Sequence, residues 1–299
     1  MIVITGCRGQ LGSELTHLLG ERALGVDLPE VDITDPRALM RWFSALRDEA
    51  LRGEALRDDI LHDEIEVIIN CAAYTAVDRA ESQPEAAERV NHLGPENLAR
   101  VGVPMVHIST DYVFDGTGST PYRENDVTNP VSVYGRTKLA GEEAVLSLAS
   151  AAVVIRTAWL YSPFGNNFVR TITRLGKERQ ELHQELRVVN DQVGTPTNAR
   201  DLAEAIIAIL PRIKPGMREV YHYTNEGNCS WYDFAREILR LQDISCPVVP
   251  CSSDEYKTAA KRPFYSVLDK GKFKREFGLA IPSWNQSLAQ SLRDERWRQ

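Results

Sequence analysis

Strand-like and helix-like spacings of apolar residues take turns along most of this 299-residue chain. Met1 to Thr5 is a short, mostly β-branched run without charge, and a helical pattern from Ser13 to Leu19 follows it directly. Gly25-Val26-Asp27 closes a second strand, and a helix opens after Asp35-Pro36 with Leu39, Met40, Trp42 and Phe43 in its apolar set. Glu66 to Tyr74 reads as a further buried strand ending in small residues. A helix then runs from Asp78 through Ala87, Val90 and Asn91, and His107 to Phe114 reads as a buried strand with a polar end. Ala151 to Tyr161 is hydrophobic without alternation, the texture of a parallel sheet covered on both faces.

After Ser162-Pro163-Phe164-Gly165 the texture changes. Asn167 to Arg174 reads as a helix, Leu186 to Val189 as a strand and Asn190 to Thr197 as a polar loop. A helix over Asp201–Leu210 and a strand over Val220–Tyr223 resume the earlier alternation. In the helix that begins at Ser230, Trp231, Phe234, Ile238 and Leu241 are expected in the core. The predicted fold is α/β, a Rossmann-type doubly wound parallel sheet with a smaller, discontinuous α/β substrate domain. The expected division is 1–161 plus 199–226 for dinucleotide binding, and 162–198 plus 227–299 for the substrate.

One segment breaks the pattern. Four near-copies of a pentapeptide, each opening on leucine, run from Leu46 to Ile65. A five-residue step turns an α-helix by about 500°, so successive leucines rotate by about 140° and share no stripe. The segment is expected to be a charged, helical, solvated extension without a catalytic role.

A net charge of -7 argues against non-specific binding of nucleic acid, although backbone amides can still hold an anionic ligand. No apolar run reaches the length of a membrane span, and the first residues enter a strand at once, so a cytoplasmic location is expected. The five scattered cysteines fit reduced thiols. Cys246 and Cys251 flank Pro247 to Pro250 with no histidine cluster beside them, so no metal is expected there.

Two stretches carry candidate chemistry. Gly6, Gly9 and Gly12 stand between the first strand and the first helix, a spacing that lets backbone amides approach a pyrophosphate at the helix N-terminus. Asp27 would accept from the adenosine ribose hydroxyls, which favours NAD, whereas Arg8 could pair with a 2′-phosphate. The residues leave that choice open. Farther on, Tyr134 and Lys138 are four apart and so share a helix face near the strand end that offers the Thr110 hydroxyl. An ammonium beside a phenol favours the phenolate, and would lower a tyrosine pKa that starts near ~10. With Thr110 polarising a carbonyl oxygen and Tyr134 protonating it, a hydride can add to the carbon.

The strings Thr5 to Gly12, Ser109 to Gly116 and Tyr134-Gly135-Arg136-Thr137-Lys138 resemble the extended short-chain dehydrogenase/reductases. Within them the chain is similar, almost end to end, to the dTDP-4-dehydrorhamnose reductase family. The likeness includes Ala72 to Asp78, Arg156 to Trp159, Gly165 to Phe168, Asn190 to Thr197 and Arg262-Pro263. It implies that Tyr134 is the proton donor, that Lys138 lowers its pKa and holds the nicotinamide ribose, and that Thr110 hydrogen-bonds the sugar carbonyl. Gly6, Arg8, Gly9, Gln10, Leu11, Gly12, Asp27, Asp32, Ile33, Cys71, Ala72 and Ala73 would line NADPH or NADH. Asp111 and Trp159 would touch a dTDP-sugar substrate.

Some members bind Mg2+ at a dimer interface through glutamates. Glu14 matches one such position, but Arg200 stands where another belongs, so no metal is expected here. The likeness leaves a homodimer open. Two other readings remain: a non-catalytic dinucleotide-binding relative of the methionine adenosyltransferase β subunit, or a reductase or epimerase of another sugar nucleotide.

Overall fold

Four fully buried residues, Ile2–Thr5, form β1, and the chain passes through the glycine loop into α1 (Gln10–Leu19). β2 (Ala23–Val26), α2 (Pro36–Arg52) and β3 (Val67–Asn70) follow. This is a computed structural model, and it describes residues 1–52 and 65–298. The pentapeptide stretch is therefore helical from Leu46 to Arg52, at the end of α2, while residues 53–64 lie outside the described residues. α3 (Val77–Ser82), α4 (Pro84–Glu88), a π-helical turn at Arg89–Leu93 and α5 (Gly94–Ala99) lead to β4 (Met105–Thr110).

α6 (Val133–Leu148) and β5 (Ala152–Thr157) come next. Beyond them lie β6 (Leu160–Tyr161), α7 (Phe168–Glu181), β7 (Leu186–Val189), β8 (Val193–Gly194) and β9 (Thr197–Asn198). The chain continues through α8 (Ala199–Ile209), β10 (Arg218–His222), β11 (Cys229–Ser230), α9 (Trp231–Leu241) and β12 (Val248–Cys251). It ends with α10 (Gly271–Phe277) and α11 (Trp284–Ser291).

The main sheet has the order β10-β5-β4-β3-β1-β2, and all its neighbours pair in parallel. Successive side chains on a strand point to opposite faces, and here both faces are covered. Ile2 and Ile4 pack with Leu15, Leu202 and Ile206 on one side, while Val3 packs with Leu39, Phe43 and Leu98 on the other. That double cover explains the uninterrupted hydrophobic strands. Thr5 is level with Val26 and Asn70, and Asn70 is level with His107, so the carboxyl ends of these strands form one edge. The strand order reverses between β1 and β3, the place where open α/β sheets take ligands.

Outside the main sheet, β7 pairs with β12, β8 with β11 and β6 with β9. Tyr161, Val169, Ile172, Phe234 and Ile238 form a separate apolar cluster there. Phe234 and Ile238 are buried as expected, and Ser230 with Asp233 closes a capping box on α9.

Three element ends differ from expectation. β3 stops at Asn70 because its amide oxygen accepts the N–H of Ala72 (3.1 Å) and turns the chain out of the sheet. β4 stops at Thr110, whose hydroxyl accepts the N–H of Tyr112 (3.2 Å) and caps a short 3-10 turn. α7 runs on to Glu181, with the Asn167 side chain as its N-cap.

Candidate active site

The glycine loop closes on itself and on β3. Gly6 has φ +70°, and a Cβ there would lie 2.6 Å from the backbone nitrogen of Ala72. A Cβ on Gly12 would lie 2.2 Å from the carbonyl oxygen of Gly6. Gly9 caps α1 without any side chain, which leaves the amides of the first turn open to the crevice. A backbone cradle that side chains would fill fits a pyrophosphate, so these residues suit a dinucleotide. Gln10 donates from Nε2 to the carbonyl of Leu160 (3.4 Å), and the buried Leu11 side chain belongs to the core, leaving only its backbone for a ligand. Cys71, Ala72 and Ala73 stand opposite the loop at the end of β3, partly exposed. Burial pushes the Cys71 thiol up and keeps it protonated.

At the end of β2, Asp27 accepts the N–H of Arg8 on one oxygen (3.1 Å) and that of Leu28 on the other (2.9 Å). The Arg8 guanidinium turns outward, donating to Glu30 at 2.6 Å and to the carbonyl of Leu28. Arg8, Asp27, Glu30 and Trp42 are among the residues around a depression of 390 Å³. Asp32 accepts the N–H of Thr34 (2.8 Å). Ile33 directs its side chain into the core against Gly94, and its carbonyl accepts from Asn97 (3.0 Å).

The other end of the crevice is built on α6. Ser132 and Glu81 satisfy the first amides of this helix, accepting from Gly135 (3.1 Å) and Val133 (2.8 Å). A Cβ on Gly135 would lie 2.2 Å from the carbonyl of Tyr112, so this glycine lets α6 approach the turn after β4. Tyr134 meets Tyr112 edge to face, with ring centroids 5.5 Å apart. Thr110 stands beside its phenol, and the Thr110 hydroxyl donates to Asp111 at 3.0 Å. Burial pushes Asp111 up to about 6.

The structure corrects one expectation here. Burial pushes Tyr134 up to about 12, opposed by the neighbouring Thr110, and Lys138 is not among the groups that shift it. Lys138 instead donates to the carbonyl of Ile108 (2.6 Å) and faces His107 Nε2 at 3.4 Å. A phenol so held stays protonated, which a proton donor requires.

Several residues support the site through partners distant in the sequence. Asn91, wholly buried, accepts the N–H of Tyr74 (2.8 Å) and donates to Thr137 (3.2 Å), tying the segment after β3 to α6. The buried Glu142 binds Arg156 of β5 through contacts of 2.7 to 3.1 Å. Arg262 forks onto Asp78 at 2.7 and 3.1 Å, joining positions 184 apart in the chain. Trp159 has φ 48° and stacks on Trp231, with ring centroids 3.4 Å apart, so part of its indole is already covered.

The residues around Glu14 do not fit Mg2+. Its buried carboxylate makes no hydrogen bond, but the Arg296 guanidinium lies 3.5 Å away, and Arg200 pairs with Glu204. A hard cation wants a shell of oxygens, and here a guanidinium already stands beside the buried Glu14 carboxylate. Among the described residues, no group of three or more His, Cys, Asp or Glu is arranged to hold a metal, and no helix is long and apolar enough to cross a membrane.

The family model described as RmlD substrate binding domain matches residues 1–296. A dTDP-4-dehydrorhamnose reductase of Sinorhizobium fredii is 42% identical over 234 residues, covering 74% of this chain and 78% of that protein. A Streptomyces antibioticus protein named "Probable dTDP-4,6-dihydroxy-2-methyloxan-3-one 4-ketoreductase" is 40% identical over 304 residues, covering 98% of this chain and 94% of its own. The crystal structure of dTDP-4-dehydrorhamnose reductase from Bacillus anthracis in complex with NADP matches with a TM-score of 0.87 at 35% identity, covering 98% of both chains. With the glycine cradle and the Thr110–Tyr134–Lys138 cluster on one sheet edge, this chain belongs to the RmlD substrate binding domain family, that of the dTDP-4-dehydrorhamnose reductases.

Proposed function

We propose that this protein reduces the C4 keto group of dTDP-4-dehydro-β-L-rhamnose to dTDP-L-rhamnose, using NADPH or NADH. The observation that carries the reading is the placement of Thr110 at the end of β4 beside Tyr134 and Lys138 at the start of α6, two strands across the sheet from the open amides of α1. The reduced nicotinamide, when bound, supplies the hydride that forms the new C–H bond at the sugar C4. Thr110 hydrogen-bonds the keto oxygen, and Tyr134 gives that oxygen its phenolic proton as the carbonyl π bond opens. The Lys138 ammonium holds the nicotinamide ribose. Asp27 receives the adenosine ribose, and Asp111 with the open part of the Trp159 indole contacts the dTDP-sugar.

The division into residues 1–161 plus 199–226 for the cofactor and 162–198 plus 227–299 for the sugar nucleotide is part of the same reading. It is supported by the separate apolar cluster around Phe234. A cytoplasmic location is proposed as well, supported by five cysteines that are all unpaired.

The test is to mix purified protein with the reduced nicotinamide and dTDP-4-dehydrorhamnose and follow cofactor oxidation. Oxidation of the cofactor with formation of dTDP-rhamnose supports the reading, and an unoxidised cofactor overturns it. A second substrate is favoured by the Streptomyces antibioticus likeness, namely another dTDP-deoxysugar with a keto group at C4. Ranking kcat/KM for the two substrates separates these readings.

A further inference from the structure

A buried chain of hydrogen bonds lies behind Lys138, and the reaction above does not use it. Thr5 Oγ1 donates to Asn70 Oδ1 at 2.8 Å, and the N–H of Ala72 donates to the same oxygen at 3.1 Å. Two donors on one oxygen fix which way the amide points. The atom that Asn70 turns to His107 is therefore Nδ2, 3.0 Å from His107 Nδ1. An amide nitrogen donates, so Nδ1 accepts, and a neutral imidazole that accepts at Nδ1 carries its proton on Nε2. Nε2 is the atom that faces Lys138 Nζ at 3.4 Å. His107 and Asn70 are at most 1% exposed and Lys138 is 2% exposed. An Nε2–H aimed at an ammonium finds no lone pair, whereas aimed at a neutral amine it finds one.

We propose that His107 is a positioning residue: locked by Asn70 with its proton on Nε2, it disfavours the ammonium of Lys138 and so sets the upper pH at which the Tyr134–Lys138 pair works. This rests on the assignment of Tyr134 and Lys138 given above. The other groups facing Lys138 are few. Glu142, one turn along α6, favours the ammonium, but its carboxylate is already bound to Arg156 of β5. The Cys71 thiol on the β3 side is held protonated and carries no charge at neutral pH. Burial, the largest influence, brings Lys138 down to about 8. Burial first and the Lys138 charge second hold His107 well below the usual imidazole range, so the ring stays neutral in the working range.

The sign follows directly. Below about 8 Lys138 is an ammonium, and as pH rises through that value the charge is lost, and with it the hold on the nicotinamide ribose. Replacing the imidazole donor, or reversing its tautomer, removes an opponent of the ammonium and moves the loss to higher pH.

Two measurements test this. Heteronuclear NMR of the histidine ring nitrogens, with the His107 signals identified by their absence in His107→Phe, reads the tautomer without any turnover. The expected result is a neutral ring protonated at Nε2 across the neutral range, inverting to Nδ1–H in Asn70→Asp, whose carboxylate can only accept. Separately, kcat/KM for the reduced nicotinamide, which reports the free enzyme, is followed against pH. The basic limb is expected to rise by about one pH unit in His107→Phe and in Asn70→Asp.

An imidazolium or an Nδ1–H ring in the native protein overturns the proposal, and so does an unmoved basic limb in whichever variant folds. If His107 has the expected tautomer but Tyr134→Phe keeps full activity, the proton-donor assignment fails while the tautomer lock stands.

Discussion

Lys138 and Thr110, at one end of the proposed cofactor cleft, are 2% and 5% exposed, whereas the Arg8 and Glu30 side chains at the other end are 58% and 55% exposed. The first pair stands on a strand end and a helix, each side chain held by further buried partners. The second pair stands on loops and holds itself by one ion pair in solvent. Desolvation moves the buried groups by whole pH units, bringing Lys138 down to about 8 and Tyr134 up to about 12. Around Arg8 and Glu30 solvent screens the charges, and the pair acts by charge matching that salt weakens. Proton transfer is proposed for the buried end, and the choice between two cofactors for the exposed end.

The largest effect is expected at the buried end. Tyr134→Phe keeps the ring against Tyr112 but removes the proton, and turnover should fall at least ~100-fold with little change in urea midpoint. A fall of only a few-fold would assign the proton to another group. Next is the frame behind it. Glu142→Gln leaves Arg156 buried with its partner's charge gone, and should cost about 3–5 kcal/mol in urea unfolding. A smaller cost would mean that the pair does not brace α6 against β5.

At the exposed end the effects are smaller and selective. Arg8→Ala should weaken NADPH by about tenfold while leaving NADH unchanged, measured as the two cofactors' affinities. Equal affinities in native protein and variant would remove Arg8 as a contact to the 2′-phosphate. The smallest change runs the other way. Glu30→Gln frees the Arg8 guanidinium from its present partner, and NADPH affinity should rise a few-fold at low salt and converge at high salt. A salt-independent effect would point to a change of loop shape.

The sequence made one kind of feature readable and hid another. Gly6, Gly9 and Gly12, or Tyr134 and Lys138, are spaced by the geometry of a single turn or helix, so local spacing alone brought them together. The parallel sheet was legible for the same reason, since strands covered on both faces lose their alternation. The partners that tune the site are contacts across the fold. Asn70 and His107 lie 37 positions apart, Arg8 and Glu30 22, and Asp78 and Arg262 184. None of these pairings follows from a period.

The shift of Tyr134 shows the same limit. The i, i+4 spacing suggested a cation acting on the phenol, but burial sets the direction of its shift, and the Lys138 amine turns to Ile108 and His107. The ends of β3 and β4 were misjudged because Asn70 and Thr110 close those strands with their own side chains, which hydropathy does not register.

Isotope transfer is the sharpest probe of direct hydride transfer onto the sugar carbonyl beside Tyr134. Nicotinamide cofactor carrying deuterium on the transferring face is incubated with the protein and dTDP-4-dehydrorhamnose, and the product is examined by NMR. The expected product is dTDP-rhamnose carrying one deuterium at C4 of the sugar per cofactor oxidised, with far slower labelling in Tyr134→Phe. Oxidised cofactor with no deuterium at C4, or labelling at the native rate in that variant, would contradict this mechanism.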